Sequence, residues 1–177
     1  QADIIGRIGA LIERIRPTST AAGGMGSGAG TGGSSGGSVP HGIIVTGAED
    51  PNKRYTSLEL LHPKVRDKVK SLIDDLASED IPMKIFESYR SPERQQKLFD
   101  QGRRGPDAHK PIVSNAEPWE SYHQYGLAVD MVIDKAGVNP WETRTAETKA
   151  WWNRYHELAE QNGLESLSFE LPHVQLK

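Results

Sequence analysis

Ser121-Tyr122-His123-Gln124-Tyr125-Gly126-Leu127-Ala128-Val129-Asp130-Met131-Val132-Ile133 is the stretch on which the reading of this chain turns. After Gly126, residues Leu127, Val129, Met131 and Ile133 fall on one face of an extended segment and Ala128, Asp130 and Val132 on the other, the two-residue period of a strand. Both faces are apolar, so the strand belongs in a core, and its single charge is out of place there. A buried aspartate is costly unless something compensates it. Ala128, two residues back on the same face, leaves room above the sheet for an ion, whereas a structural ion pair would fill that room with an arginine stem. His123 stands seven residues before Asp130 and just ahead of the Gly126 turn, so its imidazole can fold back over the strand.

The chain has six histidines and no cysteine, so any metal must be held by His, Asp or Glu, and disulfides and thiol nucleophiles are excluded. His41 adjoins a Gly/Ser tether, His62 precedes the helix-opening Pro63, His109 lies in a charged loop and His156 rides an amphipathic helix; these read as ordinary surface or capping residues. His173 differs, because it sits in an apolar terminal strand three residues after Glu170. Residues three apart in a regular strand face opposite ways, so a bulge or kink at Leu171 and Pro172 is expected if Glu170 and His173 serve one site. A zinc ion on His123, Asp130 and His173 with one open position would lower the pKa of a bound water to about 7 and polarise a carbonyl. Glu170 would then take the water's proton and deliver it to the leaving amine. Arg90, at the end of a strand read over Met83 to Tyr89, is a cation suited to a developing oxyanion or a substrate carboxylate.

Outward from this centre the pattern is α+β. Pro63 opens a helix in which Val65, Val69, Leu72, Ile73 and Leu76 recur with helical period. Ser91 and Pro92 open another toward Gln101, a third runs from Ala146 to Asn162 and stops at Gly163, and Ser166 to Leu176 reads as a last strand interrupted at Pro172. Few strands and helices of unequal length argue against a repeated βαβ fold. Toward the other end, Ile4, Ile5, Ile8, Leu11, Ile12 and Ile15 share one face of an amphipathic helix over residues 1–16, and residues 17–40 form a Gly/Ser-rich linker whose composition cannot build a core. The N-terminal helix is a candidate for docking on a partner protein or larger assembly, and 41–177 is the candidate peptidase domain. A net charge of −3 and pI near 6.1 give no basic footprint for nucleic acid. No stretch reads as a membrane span or a cleavable leader, and the start at Gln1 in place of Met fits a processed or trimmed chain.

At these residues the chain resembles the M15 metallopeptidases, a family of D-alanyl-D-alanine carboxypeptidases, dipeptidases and bacteriophage endolysins. Residues 121–130 are similar to its SxHxxGxAxD signature, Glu170-Leu171-Pro172-His173 to its ExxH segment, and Tyr89-Arg90-Ser91-Pro92-Glu93-Arg94-Gln95 to its YRSxxxQ segment, all in the family's order. The resemblance implies the M15 or Hedgehog-like fold, a small antiparallel sheet with flanking helices. It implies Zn2+ on His123, Asp130 and His173, Glu170 as base, Arg90 as oxyanion or substrate arginine, and Ser121, Gln95 and Tyr89 in support or substrate binding. Pro172 in place of a Trp before the last histidine, with Gln101-Gly102-Arg103 and Ile112-Val113-Ser114-Asn115-Ala116, is similar to the L-alanyl-D-glutamate endopeptidase branch. The implied substrate is the peptidoglycan stem peptide, reached in the cell wall or periplasm by secretion or phage delivery. Two rivals are a zinc-containing wall-binding module without turnover and a metal-free core cluster of the same side chains.

Overall fold

The computed structural model describes residues 49–177. The helix expected over 1–16 and the linker over 17–40 lie outside the described residues. Helix α1, Pro63–Ser78, starts with proline in its first turn, where the missing N–H is no loss, and the His62 ring caps it by accepting the Lys64 N–H at 3.3 Å. Strand β1 covers Met83–Glu87, and α2, Pro92–Asp100, is capped by the Ser91 hydroxyl, which accepts the Arg94 N–H. Strand β2 is Ala128–Ile133, with all six residues buried. Helix α3, Ala146–Gln161, is followed by strands β3, Leu164–Leu167, and β4, Glu170–Leu176.

The four strands form one antiparallel sheet in the order β1-β2-β4-β3. Val65, Val69, Leu72 and Leu76 of α1 and Trp152, Tyr155, Leu158 and Ala159 of α3 join Val129, Met131, Ile133, Val174 and Leu176 in a single apolar cluster on one sheet face. That is the layered α+β architecture expected from the pattern. The other face carries Asp130 and is left for chemistry.

Two differences from the sequence reading have local causes. Residues 164–176 make a hairpin and not one strand, because Ser168 and Phe169 turn the chain without the Asn-Gly or Asp-Gly pair that announces a tight turn. Strand β1 stops at Glu87, two residues short of Tyr89. Its pairing with β2 slips by one between Ile85 and Glu87, a bulge at Phe86 that sets Glu87 opposite Asp130. The break at Leu171 and Pro172, by contrast, is the one expected from the spacing of Glu170 and His173. Leu167 pairs with Glu170 while Ser166 pairs with Val174, so Leu171, Pro172 and His173 are looped out of the β3 ladder.

Gly126 joins the His123 turn to β2 and holds φ +65°. A Cβ there would lie 2.8 Å from the Leu60 carbonyl oxygen and 2.9 Å from the His62 nitrogen, both backbone atoms that cannot step aside. Gly126→Ala should therefore lower unfolding free energy by about 2–3 kcal/mol from backbone strain and close contact. Urea denaturation of the variant beside the parent chain measures this, and a loss under half a kilocalorie would contradict the packing at this turn.

Candidate metal centre

Pairing across the sheet sets Glu87, Asp130 and His173 side by side on β1, β2 and β4. His123 arrives from a single 3₁₀ turn, Tyr122–Tyr125, held by a capping box: the Ser121 hydroxyl accepts the His123 N–H and the Gln124 side chain accepts the Ser121 N–H. Ser121 thus supports the site by shaping the turn. His123 Nε2, Asp130 Oδ1 and His173 Nδ1 form a nearly equilateral triangle of 3.1, 3.2 and 3.2 Å, with all three residues buried.

The outer nitrogens of both imidazoles fix their tautomers. His123 Nδ1 lies 2.8 Å from the Ser88 carbonyl oxygen, which can only accept, so Nδ1 carries the proton. His173 Nε2 lies 3.0 Å from Gln175 Oε1, and Gln175 is oriented by its amide nitrogen donating to Glu165 at 3.3 Å. With each ring neutral, both inner nitrogens are lone pairs facing a carboxylate oxygen. Three acceptors at hydrogen-bond distance are then held together by a cation, either a metal ion or a proton on an imidazole. A tetrahedral zinc bound at about 2.0–2.1 Å has ligand-to-ligand edges of about 3.3 Å, so the triangle fits. The imidazole, imidazole and carboxylate set is also one that zinc accepts, and it leaves a fourth position open.

Asp130 also sets the titration of its neighbours. Burial works against the charge of Asp130, but His123, His173 and Arg90 outweigh it and hold its carboxyl well below the usual range. Burial also disfavours the protonated form of His173, yet the adjoining Asp130 prevails and raises its pKa. Both shifts share one origin, the attraction between the buried carboxylate and the cationic forms of its neighbours.

Arg90 does more than the sequence suggests. Its Nε donates to Glu87 at 2.9 Å, one Nη to Gln95 Oε1 at 3.1 Å and the other to Asp130 Oδ2 at 2.9 Å. An arginine stem does occupy the space beside Asp130, and it shares the carboxylate with the histidines: Oδ2 faces the guanidinium and Oδ1 faces the triangle. Glu87, 1% exposed, is bridged by Arg90 and Arg94. Sequence reasoning missed Glu87, although an acid at an apolar position of β1 is the same signal that singled out Asp130. Gln95 is fully buried and donates to Ser114 Oγ at 2.8 Å and Ala116 O at 2.7 Å while accepting from Arg90, tying α2 and the long loop to the centre. Tyr89 is not brought to the donors; it packs edge-on against Tyr55, and burial pushes its phenol up to about 12.

Glu170 is brought to them. Its carboxylate lies 3.9 Å from His173 Nδ1, on the side where its own half-exposed side chain meets solvent. The looped-out residues Leu171 and Pro172 make this possible, and their carbonyls accept hydrogen bonds from His156 Nε2 and the Tyr155 hydroxyl, each at 2.8 Å. His156, read from sequence as an ordinary surface histidine, has a structural partner after all.

The full chain should take up one zinc per molecule, read by elemental analysis after dialysis. His123→Ala should abolish stoichiometric binding. Gln175→Ala, which frees His173 Nε2, should weaken affinity about 10- to 100-fold in a competition titration with a chromogenic chelator. Unchanged affinity would remove Gln175 from the site.

The family model described as VanY, D-alanyl-D-alanine carboxypeptidase, matches residues 58–173. The chain is 34% identical over 109 residues to the peptidoglycan L-alanyl-D-glutamate endopeptidase CwlK of Bacillus subtilis (strain 168), covering 59% of this chain and 64% of that protein. Among solved structures it is similar to the LdcB LD-carboxypeptidase, with TM-score 0.51 and 22% identity over 66% of this chain and 58% of that one. A fainter likeness, TM-score 0.46 and 21% identity over 71% of this chain and 90% of the other, is to the Serratia marcescens L-Ala D-Glu endopeptidase ChiX. The chain spans less than two thirds of the length of CwlK and of the LdcB chain. The likeness to LdcB shows a shared fold, and the match over 58–173 shows that this chain belongs to the VanY family of M15 peptidases.

Proposed function

We propose that this chain is a zinc-dependent peptidoglycan peptidase that cuts the L-alanyl-D-glutamate bond of the stem peptide. The observation that carries the reading is the donor triangle with the Glu170 carboxylate 3.9 Å from one corner. His123, Asp130 and His173 would hold the ion, which supplies a Lewis acid and an acidified water. Glu170 accepts a proton from the attacking water and returns it to the amine as the peptide bond breaks. The partial exposure of Glu170 lets water and substrate reach it. Arg90 keeps Asp130 oriented through Oδ2; among the described residues three of its five N–H groups are engaged, and the other two would meet the carbonyl oxygen as negative charge develops.

The endopeptidase reading is supported by the identity with CwlK and by Pro172 before His173. The second reading, removal of a terminal D-alanine, is supported by the family's description as a D-alanyl-D-alanine carboxypeptidase. A wall-binding module without turnover would not need Glu170 beside the donors. The work would be done in the bacterial cell wall or periplasm, reached by secretion or with a phage particle, and residues 1–16 would dock on a partner protein or larger assembly. No helix among the described residues is long and apolar enough to cross a membrane.

Purified muropeptides incubated with the protein, with and without chelator, and analysed by mass spectrometry should show an internal cut after L-alanine that the chelator abolishes. Loss of a single C-terminal D-alanine would select the carboxypeptidase reading, and intact muropeptides would exclude both. In the same assay Glu170→Ala should keep its zinc and lose about 10²- to 10⁴-fold in kcat, the range for removal of a general base, and Arg90→Ala should also slow turnover. Near-parental kcat in Glu170→Ala would rule out the base assignment. Deleting residues 1–40 should leave turnover of soluble muropeptides unchanged, and a large loss would show that this segment completes the domain.

A further inference from the structure

Strand β4 leaves both of its neighbours where the chemistry is placed. Its pairing with β2 ends at His173, and its pairing with β3 jumps from Val174 to Glu170. Leu171 and Pro172 therefore have carbonyls outside the ladders, and Pro172 has no N–H to offer at all. Unpaired carbonyls in a half-buried loop favour any rearrangement that satisfies them, including a slide back to a regular strand that would turn Glu170 away from His173. Glu170 cannot resist this by itself. Its side chain is 44% exposed, and its carboxylate stands 3.9 Å from His173, too far for a hydrogen bond that would hold it.

Two consecutive residues of α3 supply what the strand lacks. The Tyr155 hydroxyl donates to Pro172 O at 2.8 Å, and His156 Nε2, which must carry a proton to face a carbonyl, donates to Leu171 O at 2.8 Å. Tyr155 is fully buried and stacked edge-on with Trp152, so its hydroxyl is fixed by the core. Charge on that phenol is disfavoured by burial and then by Asp130, which keeps the hydroxyl a donor.

We infer that Tyr155 and His156 are positioning residues, a clamp from α3 that holds the Leu171–Pro172 bulge in the one path that aims Glu170 and His173 at the same point. The inference rests on the proposed role of Glu170. It assigns to α3, which supplies neither a zinc ligand nor the base, a direct hand in the rate of proton transfer.

The test uses the full zinc-loaded chain and the muropeptide assay. His156→Leu and Tyr155→Phe should each lower kcat about tenfold, with KM within about twofold and one zinc retained, as expected when a reacting group is slightly misplaced. His156→Gln, whose amide can donate to the same carbonyl, should recover most of the loss. Placed in the Glu170→Ala background, neither substitution should slow the residual rate further. In metal-free protein, amide hydrogen exchange across residues 168–171, followed by mass spectrometry, should be several-fold faster in His156→Leu than in the parent or in His156→Gln.

Parental kcat in His156→Leu and Tyr155→Phe, beside a silent Glu170→Ala, would overturn the clamp. So would an equal proportional loss in the Glu170→Ala background, because the pair would then act by another route. If Tyr155→Phe fails to fold, His156→Leu, judged folded by a cooperative melt, decides alone. If the parent chain cuts no muropeptide, the proposed function fails and the exchange measurement still judges the clamp: acceleration by His156→Leu supports it, and unchanged exchange overturns it.

Discussion

The Asp130 carboxylate is the constraint around which this molecule is arranged. It lies in the middle of a buried strand, 8% exposed, and each of its oxygens is matched separately: Oδ2 to the Arg90 guanidinium at 2.9 Å, Oδ1 to the two imidazole nitrogens. A buried carboxylate is tolerable only with such compensation. The compensation is itself layered, since Arg90 is held by Glu87 and Gln95, Glu87 by Arg94, and the imidazoles by Ser88 and Gln175. Partners outside the first ring orient ligands and set their tautomers, which is why removing them weakens a metal site without touching the metal.

The sheet is irregular at the two places where regularity would defeat the site. On β1, the bulge at Phe86 shifts Glu87 by one position so that it stands level with Asp130; two carboxylates side by side would repel, and Arg90 lies between them. On β4, the looped-out Leu171, Pro172 and His173 bring Glu170 round to the face that His173 occupies. Each irregularity frees backbone groups or sets like charges together, and neighbouring elements absorb the consequence. The apolar layer behind β2, built from α1 and α3, is rigid enough to hold these departures in place.

Much of this was legible in the chain itself. The alternation from Leu127 to Ile133 with one misplaced acid, the Gly126 turn after His123, the helix caps at Ser91 and Gly163, and the three-residue spacing of Glu170 and His173 are all local patterns. Even the break at Pro172 followed from that spacing. What was not legible depends on register. Nothing near Glu87 says that a one-residue slip will set it opposite Asp130, nothing near Ser168 announces a hairpin, and the partners of Arg90 come from β1, α2 and β2 together.

Sequence alone thus determined most of the elements, the donor set and the spacing of Glu170 from His173, because strand period, positive-φ glycine and proline are properties of short segments. Tertiary structure alone decided which oxygen of Asp130 faces the ion, that Arg90 is a shared tie among three side chains, and that Tyr155 and His156 hold the bulge. Those outcomes depend on pairing between residues tens of positions apart, where the position of a hydrogen-bond partner is set by how strands slide and helices pack, and no local pattern encodes that.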